Sequence, residues 1–157
     1  MTALIRPAER TDVPAMSRVL TASIIELCAT DHGNDPEALA AWTRNKSEGG
    51  VAIMLDNPDL LIFVAELDGA IAAVGAITRD GTVALNYVAP TGRFRGLSKA
   101  MMERLEAELK ALGFAEGRLE ATATALKFYQ ATGWIADGPQ ASGRKVNGYP
   151  MIKILTA

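Results

Sequence analysis

The chain alternates between segments with two kinds of hydrophobic spacing. Short apolar runs, which have the length and composition of strands, lie at residues 3–7, 60–67, 70–78 and 82–88. Apolar residues three or four positions apart, which is the helical period, predict helices over residues 12–27, 36–45 and 96–112. Because these segments follow one another without a linker or a repeat, we predict a mixed α/β domain with helices packed on a sheet.

Two Asp-Gly pairs indicate how the strands connect. Asp68-Gly69 separates the second and third apolar runs, and this dipeptide is the strongest short signal for a hairpin. Asp80-Gly81 leads into the fourth run, which extends the hairpin to a three-stranded meander. Later segments predict a strand at 117–121, a helix at 123–132 and strands at 134–136 and 151–155. Residues 47–58 fit either a loop or a short helix.

Composition narrows the class of protein. At 157 residues, 49% of them hydrophobic, the chain fits one domain over residues 1–157 that buries a substantial core. A net charge of −2 favours neither nucleic acid nor an anionic membrane as partner. With Cys28 as the one cysteine and no Cys/His cluster, we expect no disulfide within the chain and no metal site. No targeting segment or run of about 20 apolar residues occurs, so we expect a cytoplasmic protein.

The most informative stretch is residues 87–102, which reads as strand, basic glycine-containing loop and helix start. Free N–H groups and the helix dipole make a helix N-terminus an anion site. Gly96 can adopt positive φ or admit a ligand close to the main chain, and the small Ser98 keeps the next turn open. Formal positive charge is added by Arg93, Arg95 and Lys99. We predict a pyrophosphate site, and the spacing excludes the Walker and dinucleotide-binding glycine motifs.

Two segments resemble the cofactor motifs of the GCN5-related N-acetyltransferase (GNAT) superfamily. The first motif consists of Arg or Gln, any two residues, Gly, any one residue, and then Gly or Ala. Residues 93–98 fit this pattern except at the last position, where Ser98 stands. Residues 122–134 resemble the family's second cofactor motif. In this motif Thr122 replaces the usual Asn or Ser, and Trp134 replaces the usual Phe or Tyr. Its matching positions are Ala125, Phe128, Tyr129 and Gly133. The order of elements resembles the family from about residue 5 to residue 155.

The resemblance implies a GNAT-like α/β fold, a mixed and mostly antiparallel central sheet of about six or seven strands with helices on both faces. It also implies acetyl-CoA as co-substrate, with the pantetheine arm in a gap between the strand at 82–88 and the strand at 117–121. The cofactor contacts that it implies are Tyr87, Val88, Arg93, Phe94, Arg95, Gly96, Leu97, Ser98, Lys99, Thr122, Ala125 and Phe128.

By the same resemblance the reaction is N-acetylation, in which a primary amine of a small molecule or peptide attacks the thioester directly. Tyr129 is then the general acid, since a phenol with a pKa near ~10 is protonated at neutral pH and can donate to the leaving sulfur. The general base stays open between His32 and Glu120, with Glu66 as a further candidate. The loop between the first two helices is expected to recognise substrate through Glu26, Asp31 and His32.

Two other functions are compatible with this sequence. The chain could be a catalytically silent acyl-CoA-binding regulatory module, because its base is not identified and Ser98 departs from the motif. A toxin that acetylates aminoacyl-tRNA would need a basic surface, which a net charge of −2 disfavours. Members of the superfamily are often homodimers, so the resemblance allows a homodimer here.

Overall fold

The computed structural model describes residues 3–93, 95–144 and 146–155. Its strands are β1 (Leu4–Pro7), β2 (Leu60–Leu67), β3 (Ala70–Thr78), β4 (Val83–Val88), β5 (Glu116–Ala121), β6 (Ile135–Ala136) and β7 (Tyr149–Ile154). Its α-helices are α1 (Val13–Leu27), α2 (Ala29–His32), α3 (Pro36–Thr43), α4 (Glu48–Asp56), α5 (Leu97–Ala111) and α6 (Leu126–Ala131). Two 3-10 turns lie at Arg10–Asp12 and Pro90–Gly92. No helix within these ranges is long and apolar enough to cross a membrane.

The strands form two sheets, whose main chains meet beside the start of β4. The first has the order β1-β2-β3-β4 and the second the order β5-β7-β6, and every pairing within each sheet is antiparallel. A single parallel bridge joins Thr82 to Arg118, supported by a 3.0 Å bond from the Arg118 N–H to the Gly81 carbonyl. Past this bridge β4 and β5 are not paired, so the two sheets open a gap between these strands. The predicted mixed α/β class is confirmed.

The predicted hairpin between β2 and β3 is confirmed residue by residue. Leu67 pairs with Ala70, and the two residues between them have positive φ, 55° at Asp68 and 81° at Gly69. This is the two-residue turn whose twist matches the twist of paired strands. The meander continues through β4, which pairs with β3 between Val83 and Val88.

Side chains of the first sheet point alternately to its two faces, and each face packs into a separate hydrophobic core. One lies under α5, where Met101 and Leu105 pack on the face of β3 that includes Ile77. The other lies under α1, where Met16 and Leu20 pack with Val64 and other residues of the opposite face. Gly75 permits the close approach of α5, because a Cβ there would lie 2.6 Å from the Met101 sulfur.

In three segments the structure refines the sequence prediction, for local reasons. The open segment 47–58 forms α4, which Ser47 caps by accepting the Gly50 N–H at 3.1 Å. The predicted break after α1 contains the short helix α2, which ends at Gly33 in the left-handed region. The helix predicted at 123–132 starts only at Leu126, because the preceding turn is held by the Asp31 carboxylate and the Thr122 hydroxyl.

Candidate functional site

The gap between β4 and β5 is a cavity of about 390 Å³. Its walls include many of the residues for which the sequence predicted cofactor contacts: Tyr87, Val88, Arg93, Gly96, Leu97, Ser98, Lys99, Thr122, Ala125 and Phe128. Arg95 is exposed and lies outside this wall. Phe94 lies outside the described residues. Two distant segments of the chain, 87–99 and 122–129, therefore meet around one cavity.

The start of α5 forms one end of the cavity. Gly96 is the N-cap and lies in the left-handed region, with φ 73° and ψ 12°, which is the first of the two roles predicted for it. Lacking a side chain, it leaves the first turn uncapped, and the first intrahelical bond is the one from Ala100 N to Gly96 O at 3.1 Å. The N–H groups of Leu97, Ser98 and Lys99 precede that bond, so this turn can bind an anion.

Tyr129, on α6, also lines this cavity. Its side chain is 6% exposed and its ring contacts Phe128 and Trp134 edge to face, with centroids 5.2 and 6.2 Å away. Burial raises the pKa of its phenol, so the hydroxyl is protonated at neutral pH. Asn86 Nδ2 donates to the Tyr129 oxygen at 3.2 Å, which leaves the phenolic hydrogen available to another acceptor.

Asn86 is a residue that sequence reasoning missed. It lies on β4 between Leu85 and Tyr87 and lines the cavity, and its Oδ1 is buried without a hydrogen-bond partner in the part of the chain that the structure describes. The available signal was a lone amide in an otherwise apolar strand, because a buried polar side chain needs a partner. That partner, Tyr129, is 43 residues away in sequence.

A second cavity, of about 790 Å³, adjoins the first. Several residues line both cavities and form a shared wall: Val83, Ala84, Tyr87, Leu119, Glu120 and Thr122. The rest of the second cavity includes Trp42 from α3 and Arg144 from the segment between β6 and β7. Trp42 Nε1 donates to the Tyr87 hydroxyl oxygen at 3.2 Å, and burial raises the pKa of Tyr87. The shared wall places two compartments within reach of one another.

The structure argues against His32 as a general base. The side chain is 3% exposed and lines neither cavity. Its Nε2 lies 2.8 Å from the Ile24 carbonyl, to which it donates, and its Nδ1 accepts the Asn34 N–H at 2.9 Å. Because both ring nitrogens are bonded to the main chain, neither can take a proton from a substrate. The ring instead packs edge-on against Trp42, with centroids 6.1 Å apart.

Asp31 and Glu26, predicted to recognise substrate, do not line either cavity. The Asp31 carboxylate accepts the Ala123 N–H at 2.5 Å, the Thr124 N–H at 3.2 Å and the Thr124 hydroxyl at 2.6 Å. It therefore fixes the turn that precedes α6 and Tyr129. Glu26 is on the exposed face of α1. Recognition of substrate by these two residues stays a prediction: the Asp31 carboxylate is bonded to the protein's own loop, and Glu26 is exposed.

The other two carboxylates proposed as bases differ in position. Glu66 accepts from Arg6 at 3.3 Å and lines neither cavity. Glu120 is in the shared wall and contacts the Arg144 guanidinium. Among the described residues around the two cavities, Glu120 is the only carboxylate. No group of three or more potential metal ligands occurs within the described ranges.

Cys28 also lines the first cavity, near the end of α1. Burial, together with the nearby Asp31 carboxylate, raises the pKa of its thiol to about 12. The sulfur is therefore protonated at neutral pH, and a thiol is a much weaker nucleophile than a thiolate. The arrangement favours attack by an external nucleophile over attack by this cysteine.

Comparison with known proteins gives matches along most of the chain. The family described as acetyltransferase (GNAT) domain matches residues 28–155. The IAA acetyltransferase of Azospirillum brasilense is 32% identical over 93 residues, which cover 54% of this chain and 61% of that protein. The chain thus spans less than two thirds of the length of this curated relative.

Solved structures match over nearly the full length. A GCN5-related N-acetyltransferase from Rhodopseudomonas palustris, described as an aminotransferase of class II, has a TM-score of 0.86 at 23% identity, covering 98% of this chain and 96% of that chain. PaiA N-acetyltransferase from Thermoplasma acidophilum, solved in complex with coenzyme A, has a TM-score of 0.81 at 19% identity, covering 98% and 99%. At these identities the likeness shows the shared fold alone.

Proposed function

The chain belongs to the acetyltransferase (GNAT) family, and from this premise we propose that it transfers an acetyl group from acetyl-CoA to a primary amine of a small molecule or peptide. The observation that supports this proposal best is the first cavity. Its lining combines an uncapped helix N-terminus, the basic residues Arg93 and Lys99, and a protonated tyrosine. We expect the protein to act in the cytoplasm.

In this proposal the start of α5 binds the pyrophosphate of acetyl-CoA. The N–H groups of the first turn donate to phosphate oxygens, and Arg93 and Lys99 add positive charge. The pantetheine arm follows the gap between β4 and β5, where the unpaired edge of β4 near Val88 offers main-chain groups. The thioester then lies in the part of the cavity near Tyr129.

The transfer itself needs one bond made and one broken. The neutral amine nitrogen attacks the thioester carbonyl, an N–C bond forms, and the C–S bond breaks. Tyr129 donates its phenolic proton to the departing sulfur, and Asn86 holds the phenol oxygen so that its hydrogen faces the cavity. The nitrogen that has attacked loses a proton, which restores the Tyr129 phenol by way of water, so that the products are an amide and a free thiol. General-acid catalysis of this kind contributes about 10²-fold or more.

The acceptor amine enters from the second cavity in this proposal. The two cavities share a wall, so a molecule in the second can present its amine to a thioester in the first. An alkylamine is mostly protonated at neutral pH and must lose a proton before attack. We assign that role to Glu120, because it is the only carboxylate among the described residues around the two cavities.

The alternative, a silent acyl-CoA-binding module, predicts a different pair of results. Thermal unfolding with acetyl-CoA, with ATP as an anionic control, tests the cofactor. Saturation at about 100 times the dissociation constant stabilises the protein by ~2.7 kcal/mol. Release of free thiol on adding a panel of primary amines then tests turnover. A shift specific to acetyl-CoA with thiol release supports the enzyme, a shift without thiol release supports the module, and no specific shift contradicts both.

A further inference from the structure

The second cavity contains a buried cation, Lys46, which follows helix α3. The residue is only 7% exposed. Its ammonium donates to Asn45 Oδ1 at 2.6 Å and to the Trp42 carbonyl at 3.4 Å. No carboxylate in the described ranges lies within ion-pair distance of it. A buried ammonium without a counter-ion is costly, so its position calls for an explanation.

Hydrogen bonding to a carbonyl near the end of α3 does not explain why the Lys46 ammonium is buried. A lysine can bond a helix carbonyl and still extend its charged group into water, which is the usual behaviour of a long side chain. Lys46 instead lines the cavity, with two of its three N–H donors used by the protein. Burial lowers the pKa of this ammonium, because the charged form is poorly solvated. An anion in the cavity would supply both the third acceptor and the missing charge.

The remaining lining of the cavity agrees with an anionic ligand. Arg118 and Arg144 add two cations, and Glu120, the one carboxylate among the described lining residues, is already in contact with Arg144. The balance of charge is therefore positive, which attracts anions into a cleft. Trp42 and Tyr87 provide an aromatic surface beside Lys46 for the uncharged part of a ligand.

We propose that the acceptor amine also carries a carboxylate, as amino acids do, and that Lys46 binds this carboxylate in the second cavity. The proposal rests on the proposed function, since it names the substrate class of that same site. Binding the carboxylate at Lys46 leaves the amine free to reach the shared wall and the first cavity. Lys46 thereby selects the substrate and takes no part in the chemical step.

The test compares amino acids with their carboxamides, which keep the amine and the side chain but lose the negative charge. Thiol release from acetyl-CoA is measured for each pair with the unaltered protein, Lys46→Met and Lys110→Met. Lys110 is exposed on the last turn of α5, away from both cavities, and serves as the matched control. For each substrate, the kcat/KM of the unaltered protein is divided by the kcat/KM of the variant. This ratio cancels intrinsic differences in amine reactivity between substrates.

We expect Lys46→Met to lower kcat/KM for the amino acids by about tenfold or more, chiefly through KM, because hydrogen bonds to charged groups are among the stronger ones. The carboxamides should change by less than about twofold, and Lys110→Met should change neither class. An equal loss on both members of a pair, or no loss on either, would show that Lys46 is structural and would overturn the proposal.

Two further results distinguish a failure of the inference about Lys46 from a failure of the proposed function. If acetyl-CoA shifts the unfolding midpoint but only amines without a carboxylate are acetylated, the proposed function survives and the inference fails. If Lys46→Met does not fold, the unaltered protein is heated with 3-phenylpropionate or with 3-phenylpropanamide. A shift from the carboxylate alone supports the inference, and equal or absent shifts overturn it.

Discussion

The two cavities share a wall but are built in different ways. Most of the first lies on two stretches of chain, within 83–99 and within 119–129, and its anion-binding part consists of main-chain N–H groups at the start of α5. The second combines residues of α3 and its C-terminal end, β4, β5 and the segment between β6 and β7, which are up to about a hundred residues apart in sequence. The comparison indicates that a site made by local backbone geometry leaves a readable motif, whereas a site made by scattered side chains does not.

The difference also separates two kinds of chemistry. A helix N-terminus binds any phosphate of suitable shape, so the first cavity suits a co-substrate common to a whole family. Side chains such as Lys46 and Trp42 distinguish one ligand from another, so the second cavity suits the specific partner. Variants in the first should therefore alter cofactor binding or chemistry for every acceptor, and variants in the second should alter the choice of acceptor.

The largest effect is expected from Tyr129→Phe, which removes the proposed acid of the first cavity. Turnover should fall by about 10²-fold for every acceptor, while the dissociation constant for acetyl-CoA changes little, because the phenol acts on the departing sulfur. Since burial raises the pKa of Tyr129, the alkaline loss of activity attributable to this phenol should lie above pH ~10.

Tyr149→Phe is the matched control for that variant. Tyr149 lies on β7 opposite Ala121 and is outside the described lining of both cavities. The Tyr149→Phe variant should therefore keep full turnover. Unchanged turnover in Tyr129→Phe would remove the acid from the proposal, and a fall restricted to some acceptors would place Tyr129 in substrate selection instead.

The second effect in size is expected from Asp31→Ala, which tests the contact between α2 and the turn before α6. The carboxylate accepts three hydrogen bonds from Ala123 and Thr124. Its loss should lower the free energy of unfolding by about 2 kcal/mol. Turnover should fall by about tenfold, since displacing a catalytic group by a small distance is costly.

Ser47→Ala provides the comparison for stability, because Ser47 caps α4 outside the described lining of both cavities and its loss costs about 1 kcal/mol. Unfolding by denaturant and steady-state turnover are measured on both variants. If Ser47→Ala reduces turnover as much as Asp31→Ala does, the loss reflects general destabilisation and the positioning role of Asp31 is wrong.

Much of the fold was predictable from the sequence because its signals are local. The turn at Asp68-Gly69 fixed β2 and β3 to the residue, and Gly96 marked the start of α5. The partners of His32 and Asp31 could not be predicted from the sequence, because they are set by tertiary contacts. A loop rich in Asp, Gly and Asn is usually exposed, but here His32 is buried and bonded to the main chain. No local sequence pattern indicates hydrogen bonds of this kind.

Gly96→Ala should have a smaller effect that is specific to the first cavity. A Cβ at Gly96 meets nothing within 4 Å, so the substitution acts only through the left-handed conformation at φ 73°, which costs about 1–2 kcal/mol for a residue with a Cβ. We expect acetyl-CoA affinity to fall several-fold as the first turn of α5 shifts. Calorimetric titration with acetyl-CoA measures this loss.

Gly113→Ala is its closest control, because Gly113 has φ 95° and equally open space but lies at the other end of α5. Both variants should lower the unfolding midpoint by similar amounts. Only Gly96→Ala should weaken acetyl-CoA binding. Equal affinities in the two variants would mean that the helix start does not bind the cofactor.

The smallest expected effect concerns Cys28, which lies in the wall of the first cavity and could be mistaken for an acyl carrier. With a thiol pKa of about 12, the thiolate is a minute fraction at pH 8. Incubation with acetyl-CoA should therefore leave the intact mass of the protein unchanged. Alkylation by iodoacetamide should accelerate with pH throughout the range from about 7 to 10, whereas free cysteine, with a pKa near ~8.5, levels off within it. A plateau near pH 8 would show that the thiol has an ordinary pKa, and an acetyl adduct would replace direct transfer by a two-step route through Cys28.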